Sequence, residues 1–467
     1  MWEMSMGIKK RGVCELEIID LAFGGKGLAK PDGFPVFVDR CVPGDRVRVK
    51  IVKKKKNWAE AKLIEILSRS PLRQAARCRY ADFCGGCKWQ QIPYKTQLEY
   101  KKQHVIQSLA HIGRLSQVPV KEVIPSEKVF EYRNKMEFSC SARRWLMPEE
   151  LADDTVSKDL GIGLHVPGTF DQVIDILHCD IMPEQGNAIL GHVREFIRTS
   201  GLSAYHLRHH TGFWRYVMLR HSVARDQWMV NIVTRDKNLS VVSRLADSLA
   251  TAFDNLASIV NNITDAKSGV STGKEEILLH GREVITERLG RFEFDVSANS
   301  FFQTNTRACE TLYEVVARYC GLTGRETVLD LYSGTGTIPI WLSDRAARIT
   351  GIEIVETAVA DARKNAAMNH VDNCEFLTGD IREVLPQLET VPDVMVIDPP
   401  RVGMHKDVVA RVLGLGSETI VYVSCNPATL ARDLEMLTPG YEVVEVQPVD
   451  MFPHTYHIES VALLKHR

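Results

Sequence analysis

The sequence predicts an α/β protein: a Rossmann-like open sheet in its C-terminal part, preceded by a small OB-like β-barrel and a central α+β region. Three observations predict this. From about residue 297 onward, apolar strand-like runs alternate with helical stretches, the β–α–β–α rhythm of a mostly parallel sheet with helices on both faces. Residues 8–67 instead carry four or five short strand-like runs separated by Gly, Pro and Asp, as in a small barrel. Between them, strand-like and helix-like runs mix without a βαβ order. The 467 residues suffice for two to four domains with real cores.

Composition bounds the setting. The chain is 45% hydrophobic and 25% charged, ordinary for a soluble globular protein. No apolar run reaches the roughly 18 residues of a membrane span. The opening stretch MWEMSMGIKKRG lacks the apolar core of a signal peptide, so the expected location is the cytoplasm. Eleven cysteines, an odd number, in a reducing compartment argue against a disulfide framework. Clustered cysteines there point to metal binding or catalysis. The net charge of −1 conceals an asymmetry: residues 1–145 hold 29 Lys and Arg against 15 Asp and Glu, and the remainder holds 29 against 44. A basic front suggests a polyanionic partner, which in the cytosol means nucleic acid. The competing reading is that lysines merely solubilise a small domain.

The barrel runs are CELEIIDLA, GFPVFVDR, DRVRVKIVKKKK and WAEAKLIEIL. The turn LAFGGKGLAK sets Gly24, Gly25 and Gly27 around Lys26. Small barrels of this kind bind nucleic acid on an open face. The run Lys53 to Lys56, taken alone, is a solvated edge that discourages aggregation. A cysteine- and glycine-rich stretch follows, and then a helix from Tyr94 to about Ile112, with Leu98, Val105, Leu109 and Ile112 at helical spacing. The central region alternates strand-like KMEFSCSARR, WRYVMLRHSV and QWMVNIVTR with helix-like AILGHVREFIRTSG and VVSRLADSLATAF. The acidic LMPEELADDTVSKDL reads as a surface loop. In the C-terminal part the strand candidates are ETVLDLY, ARITGIEI, NCEFLTGD, PDVMVIDPP, TIVYVSC and HIESVALLK.

Chemistry-bearing residues gather at the ends of these strands. VLDLYSGTGTIPI runs a strand into Gly334-x-Gly336 and a helix, so backbone can approach a ligand there. A dinucleotide fingerprint wants glycine at 339, where Pro339 stands, and Asp330 before the turn would repel a pyrophosphate. A cationic ligand without phosphate fits better, and S-adenosylmethionine is one. Glu353 ends the second strand, where a carboxylate can hold ribose hydroxyls. Asp380 ends the third, near an adenine. IDPPR, with Asp398, follows the fourth; Asp-Pro-Pro after a strand resembles the substrate loop of base methyltransferases, and is otherwise a stiffened turn. VYVSCNP ends the fifth, with Cys425 at the break. A thiolate beside a methyl donor can add to carbon 6 of uracil, which makes carbon 5 nucleophilic. A base must then remove the carbon 5 proton. Glu459 in HTYHIESVALL is available, with His454 and His457 close by in sequence. Out of this setting Cys425 reads as a core cysteine and Glu459 as a strand-edge carboxylate.

Cys78-x5-Cys84-x2-Cys87 is a ligand-like spacing, with Gly85 and Gly86 allowing a tight loop. Cys179 before a Pro-containing turn is the candidate fourth thiolate, whereas Cys140 reads as strand-buried. Zinc sites favour paired C-x2-C units. A single pair leans to an iron–sulfur cluster on four cysteines.

Together these motifs resemble the RNA uracil-C5 methyltransferase family, over nearly the whole chain. DLAFGGKGLAK and VPGDRVRVK resemble its RNA-binding TRAM barrel. The resemblance implies a 4Fe–4S cluster on Cys78, Cys84, Cys87 and Cys179, as in the 23S rRNA branch. SANSFFQTNT resembles the motif whose Gln303 contacts donor and active site. Tyr332, Gly334, Gly336, Thr337, Glu353, Asp380 and Asp398 fall on donor-pocket positions, SCNP carries the nucleophile onto Cys425, and FPHTYHIES carries the base onto Glu459. LYSGTGT is a variant of the family's loop at Thr337. The acidic insertion near 147–159 has no place in the pattern.

The implied division is a TRAM barrel at 8–67, an iron–sulfur domain at 68–93 and 125–296, and a methyltransferase domain at 94–124 and 297–467. The implied activity is 5-methyluridine formation in 23S rRNA by a monomeric enzyme. The cluster and barrel favour rRNA over tRNA in this reading. A tRNA uracil methyltransferase, an amino-group base methyltransferase that leaves Cys425 idle, and a non-catalytic iron–sulfur RNA-binding factor are the alternatives.

Overall fold

The computed structural model describes residues 8–267, 269, 272–388 and 390–467; most of the opening stretch read for a leader, residues 1–7, lies outside the described residues. Six short strands, Val13–Glu17, Asp20–Leu21, Gly27–Ala29, Val36–Val38, Arg46–Lys54 and Ala59–Ser68, form one sheet around Leu16, Val36, Val38, Val47 and Val49. Four or five were expected. The additional pairing comes from the glycine turn, which is itself a hairpin: Asp20 faces Leu28 and Leu21 faces Gly27. Gly24 and Gly25, at φ 101° and 84°, make the reversal possible.

The central region is an eight-stranded mixed sheet with helices Glu184–Thr199 and Leu239–Ala252 packed into its core. Its strand Trp214–Ser222 is buried along almost its whole length, as for a strand covered on both faces. The acidic stretch runs over the surface, with Glu149 paired to Arg79 and Glu150 to Arg144.

The third sheet has seven strands in the order Cys374–Thr378, Arg348–Glu353, Thr327–Leu331, Val394–Ile397, Thr419–Ser424, Glu459–His466, Tyr441–Val449. The first five are parallel, and Glu459–His466 runs antiparallel to both its neighbours. The edge strand Tyr441–Val449 was not among the sequence candidates. Its pairing shifts between Val443 and Glu445, which breaks the two-residue period, and Pro448 lies within it. Helix Tyr94–His111 packs on helix Pro427–Leu437, burying Val105 and Leu109 beside Leu430 and Leu434. Among the described residues no helix is long and apolar enough to cross a membrane.

Candidate active site

Strand parity sorts the side chains at the carboxyl ends of the parallel strands. Val328, Val394, Val396, Val421, Val423 and Val461 belong to one core, on the face covered by helix Thr306–Cys320, whereas Leu329, Ile397, Tyr422 and Ala462 belong to the other. Alternation therefore sends Asp330, Asp398 and Cys425 toward the first face. Glu459 joins them because its strand is antiparallel. Ser424 pairs with Ser460, so the next position sets Cys425 opposite Glu459 on the same face. Gln303 precedes the helix on that face, and its carbonyl accepts from Asn134 Nδ2 at 3.0 Å.

Cys425 lies between the end of strand Thr419–Ser424 and Asn426, which caps helix Pro427–Leu437 by accepting from the Ala428 N–H at 3.1 Å. Burial pushes its thiol up to about 11; the Glu459 carboxylate adds to this, and the Arg401 guanidinium opposes it. Glu459 is 5% exposed. Burial pushes it up to about 8, with Asp398 adding and Arg401 opposing. Asp398 is itself pushed up to about 7 by burial. Arg401 is thus the cation that opposes the effect of burial on both Cys425 and Glu459. The sequence reading quoted it within IDPPR without assigning it a part; the signal was a lone arginine after the proline pair. Asn426 Nδ2 and Thr429 Oγ1 donate to its carbonyl at 3.1 and 3.2 Å, tying its loop to the helix that follows Cys425.

The loop after strand Thr327–Leu331 holds Tyr332, Gly334 and Gly336 at φ 68°, 52° and 77°. Glu353 braces it: its two oxygens accept the N–H of Gly334 at 3.1 Å and of Val355 at 2.8 Å. Below the loop Asp330 is 1% exposed, and neither of its oxygens has a hydrogen-bond partner. Burial holds its carboxyl well above the usual range, and the charges of Asp398 and Glu353 act in the same direction. An orphaned buried carboxylate suits a cationic ligand. The Thr337 hydroxyl meets the Tyr313 hydroxyl at 2.7 Å. Asp380 accepts from Arg382 Nε at 3.0 and 3.1 Å, and these bonds hold it down to about 2.

The two histidines differ in setting: His457 feels the same Arg401 as Glu459, whereas His454 turns toward helix Tyr94–His111. His454 is buried against Gln97, and burial holds both imidazoles down to about 4.

Cys78, Cys84, Cys87 and Cys179 line one small cavity of about 30 Å³ with Tyr80, Leu164 and Ile176. Cys140 is buried in its strand instead. Among the described residues no three His, Cys, Asp or Glu side chains converge closely enough to hold a single metal ion. Gly86 N–H donates to Cys84 Sγ at 3.3 Å, and N–H groups of Tyr80 and of Ile181 and Met182 serve Cys78 and Cys179. As free thiols all four are raised by burial, Cys78 to about 12 and the others to about 11.

Comparison with known proteins agrees with this geometry. Residues 244–467 match the tRNA (Uracil-5-)-methyltransferase family and residues 9–64 match the TRAM domain. A protein of Chlorobaculum tepidum described as an RNA methyltransferase is 42% identical, over 97% of this chain and 96% of its own. One from Porphyromonas gingivalis is 39% identical over 96% and 99%. The crystal structure of Pyrococcus abyssi tRNA (uracil-54, C5)-methyltransferase with S-adenosyl-L-homocysteine superposes with a TM-score of 0.76 at 32% identity, covering 97% of this chain and 100% of that one. That coverage leaves little room for the barrel to be peculiar to rRNA enzymes. The chain belongs to the S-adenosylmethionine-dependent RNA uracil-C5 methyltransferase family and carries a TRAM domain at its front.

Proposed function

We propose that this protein methylates carbon 5 of a uridine in 23S rRNA through a covalent Cys425 adduct. The observation that carries the chemistry is the antiparallel register that brings Cys425 and Glu459 together on the donor's strand edge. The target uridine leaves its stack to reach that edge. Cys425 gives its thiol proton up to solvent and adds as thiolate to carbon 6, and electron density moves to carbon 5. S-adenosylmethionine supplies an electrophilic methyl on sulfur. Arg401 favours the thiolate and opposes the burial that holds Glu459 toward its neutral form. Glu459 then takes the proton from carbon 5, and the thiolate leaves as the double bond re-forms. Gln303, Tyr332, Gly334, Gly336, Thr337, Glu353, Asp380 and Asp398 form the donor pocket in this reading, with Asp330 beneath it.

The four cysteines fit a 4Fe–4S cluster better than zinc. A tetrahedral zinc with Zn–S bonds of 2.3 Å draws its sulfurs to within about 3.8 Å of one another. One C-x2-C pair with two separate cysteines, all four lining one cavity, suits a cluster held by four thiolates, and N–H groups aimed at sulfur stabilise thiolates there. Its role in this reading is to shape the RNA-binding part of the chain.

A second substrate is favoured by one observation: the Pyrococcus abyssi enzyme that matches the whole chain acts on tRNA uracil 54. The test uses 5-fluorouridine-substituted RNA with S-adenosylmethionine. Fluorine cannot leave as a proton, so the enzyme stalls as an adduct that shifts on a denaturing gel. A band on 23S rRNA fragments that Cys425→Ala abolishes supports the proposal. A band on tRNA alone keeps the chemistry and changes the substrate. No band on either overturns both.

A further inference from the structure

The segment 450–458 joins the edge strand to the strand of Glu459, and Val449 pairs with Glu459 at its base. It is held from four sides. From helix Tyr94–His111, Lys101 Nζ donates to Asp450 Oδ1 at 2.6 Å and to the Phe452 carbonyl at 3.0 Å, and both charged side chains are 0% exposed. One turn earlier, Gln97 Oε1 accepts the His454 N–H at 2.8 Å while its Nε2 meets His454 Nδ1 at 3.2 Å. From the cysteine loop, the N–H groups of Lys88 and Trp89, directly after Cys87, donate to the His454 carbonyl at 2.9 and 3.0 Å. From the barrel, the glycine turn rests on Tyr456 so closely that a Cβ on Gly25 would lie 2.9 Å from its ring. From the helix next to Gln303, Asn305 Nδ2 donates to the Met451 carbonyl at 3.1 Å.

A fully buried ion pair is a costly way to pin a loop, because both ions lose their hydration. His454 also sits at φ 65°, a conformation a non-glycine residue keeps only when its surroundings dictate it. Both features are spent on one segment, and its next residue is Glu459. A strand's first residue otherwise frays, and an exposed carboxylate would be pulled toward water.

We propose that Lys101 and Asp450 are positioning residues for proton removal: their buried pair, with Gln97 holding His454, keeps the segment 450–458 closed against Glu459 so that its carboxylate stays beside Cys425. This rests on the reading of Glu459 as the base. The barrel and the cysteine loop grip the same segment, the cysteine loop at the His454 carbonyl and the barrel at Tyr456, so the elements read as binding cluster and RNA both reach the segment that precedes the base.

The test is Lys101→Met/Asp450→Asn, which removes both charges and avoids leaving one unpaired in the interior. Adduct formation and methyl transfer do not require the base, and elimination does. On unmodified substrate RNA the variant is expected to lose on the order of 10- to 100-fold in kcat, as for a catalytic group displaced by about 1 Å, with KM within about twofold of wild type. Methylated protein–RNA adduct should accumulate on a denaturing gel. On 5-fluorouridine RNA it should trap at the wild-type rate. If the double variant does not fold, Gln97→Met, which drops both bonds to His454 at similar length, gives the same two readouts. Unchanged turnover overturns the proposal, as does trapping that falls in step with turnover. Wild-type enzyme that never traps 5-fluorouridine RNA overturns the underlying reading instead.

Discussion

Glu459→Gln separates the cost of the buried carboxyl from its use. Glu459 moves from an ordinary value of 4.5 to about 8 in the folded protein. Its folded value lies above its unfolded one, so the stability it contributes is present below pH 4.5 and is lost as pH rises through about 8. At about 1.36 kcal/mol per pH unit, the wild type gives up roughly 4 kcal/mol by pH 8 that a glutamine, which never ionises, retains. Urea titrations of both proteins at pH 5 and pH 8 measure this. A difference of under about 1 kcal/mol at pH 5 and a variant more stable by a few kcal/mol at pH 8 is the expected result. Catalysis should move the other way. Removing a general base lowers turnover by about 10²- to 10⁴-fold, and the block falls after methyl transfer. Labelled methyl should therefore appear in a protein–RNA adduct on ordinary RNA. A stability difference that does not change with pH would refute the buried neutral carboxyl. Rapid turnover without adduct would refute its role as base.

Other perturbations report on the remaining parts. Cys425→Ala should fold normally, bind S-adenosylhomocysteine in calorimetry with wild-type affinity, and form no adduct with 5-fluorouridine RNA; any adduct would identify another nucleophile. Gly336→Ala would put a Cβ 2.8 Å from the Phe376 ring and 2.9 Å from Ala362 Cβ at φ 77°, and should weaken S-adenosylhomocysteine binding at least about tenfold. Wild-type affinity there would mean the loop is not the donor site. Cys84→Ser should remove any iron–sulfur absorbance from purified protein and reduce RNA retention in a filter assay; unchanged iron content and binding would remove the cluster from the account.

What was legible in the sequence tracks how local the physics is. The break after Cys425 could be read because Asn-Pro ends a strand within two residues. The glycine loop and the acids after successive strands could be read because each follows its own apolar run. The cysteine set was legible only in part by spacing: Cys179 lies far from the C-x2-C pair and meets it through the folding of the central sheet. The edge strand was obscured by a bulge at Val443 and Glu445. The histidines near Glu459 drew attention by sequence proximity, yet a residue at left-handed φ turns His454 toward Gln97, 357 positions away. No local pattern signals Lys101 and Asp450, 349 positions apart. A lysine in a polar helix and an aspartate before a loop are ordinary until the two elements pack.

The reversed strand explains why Cys425 and Glu459 lie apart in the chain and on one face at one edge of the sheet. In a wholly parallel sheet every side chain at the ligand edge would follow its strand, and each would arrive on a connection free to vary in length. Running Glu459–His466 backward puts the strand's first residue at that edge instead. Its place opposite Cys425 is then set by backbone pairing, Ser424 to Ser460, and the pinned segment before it keeps that end of the strand closed. The arrangement has a strict tolerance. A one-residue slip of that strand would turn Glu459 to the opposite face and replace it with Ser460 or Ile458. Two features oppose the slip. Val461 is buried on the face of Cys425 and Ala462 on the other, so a shift would exchange their two packed environments. The pinned segment 450–458 fixes the strand's start from outside the sheet. A deletion of one residue between Phe452 and Ile458 should therefore be absorbed by losing the Lys101 or Gln97 contacts before it moves the register. Such a protein should still trap 5-fluorouridine RNA while failing to release ordinary product; loss of trapping would place the control of register in the segment and not in the sheet.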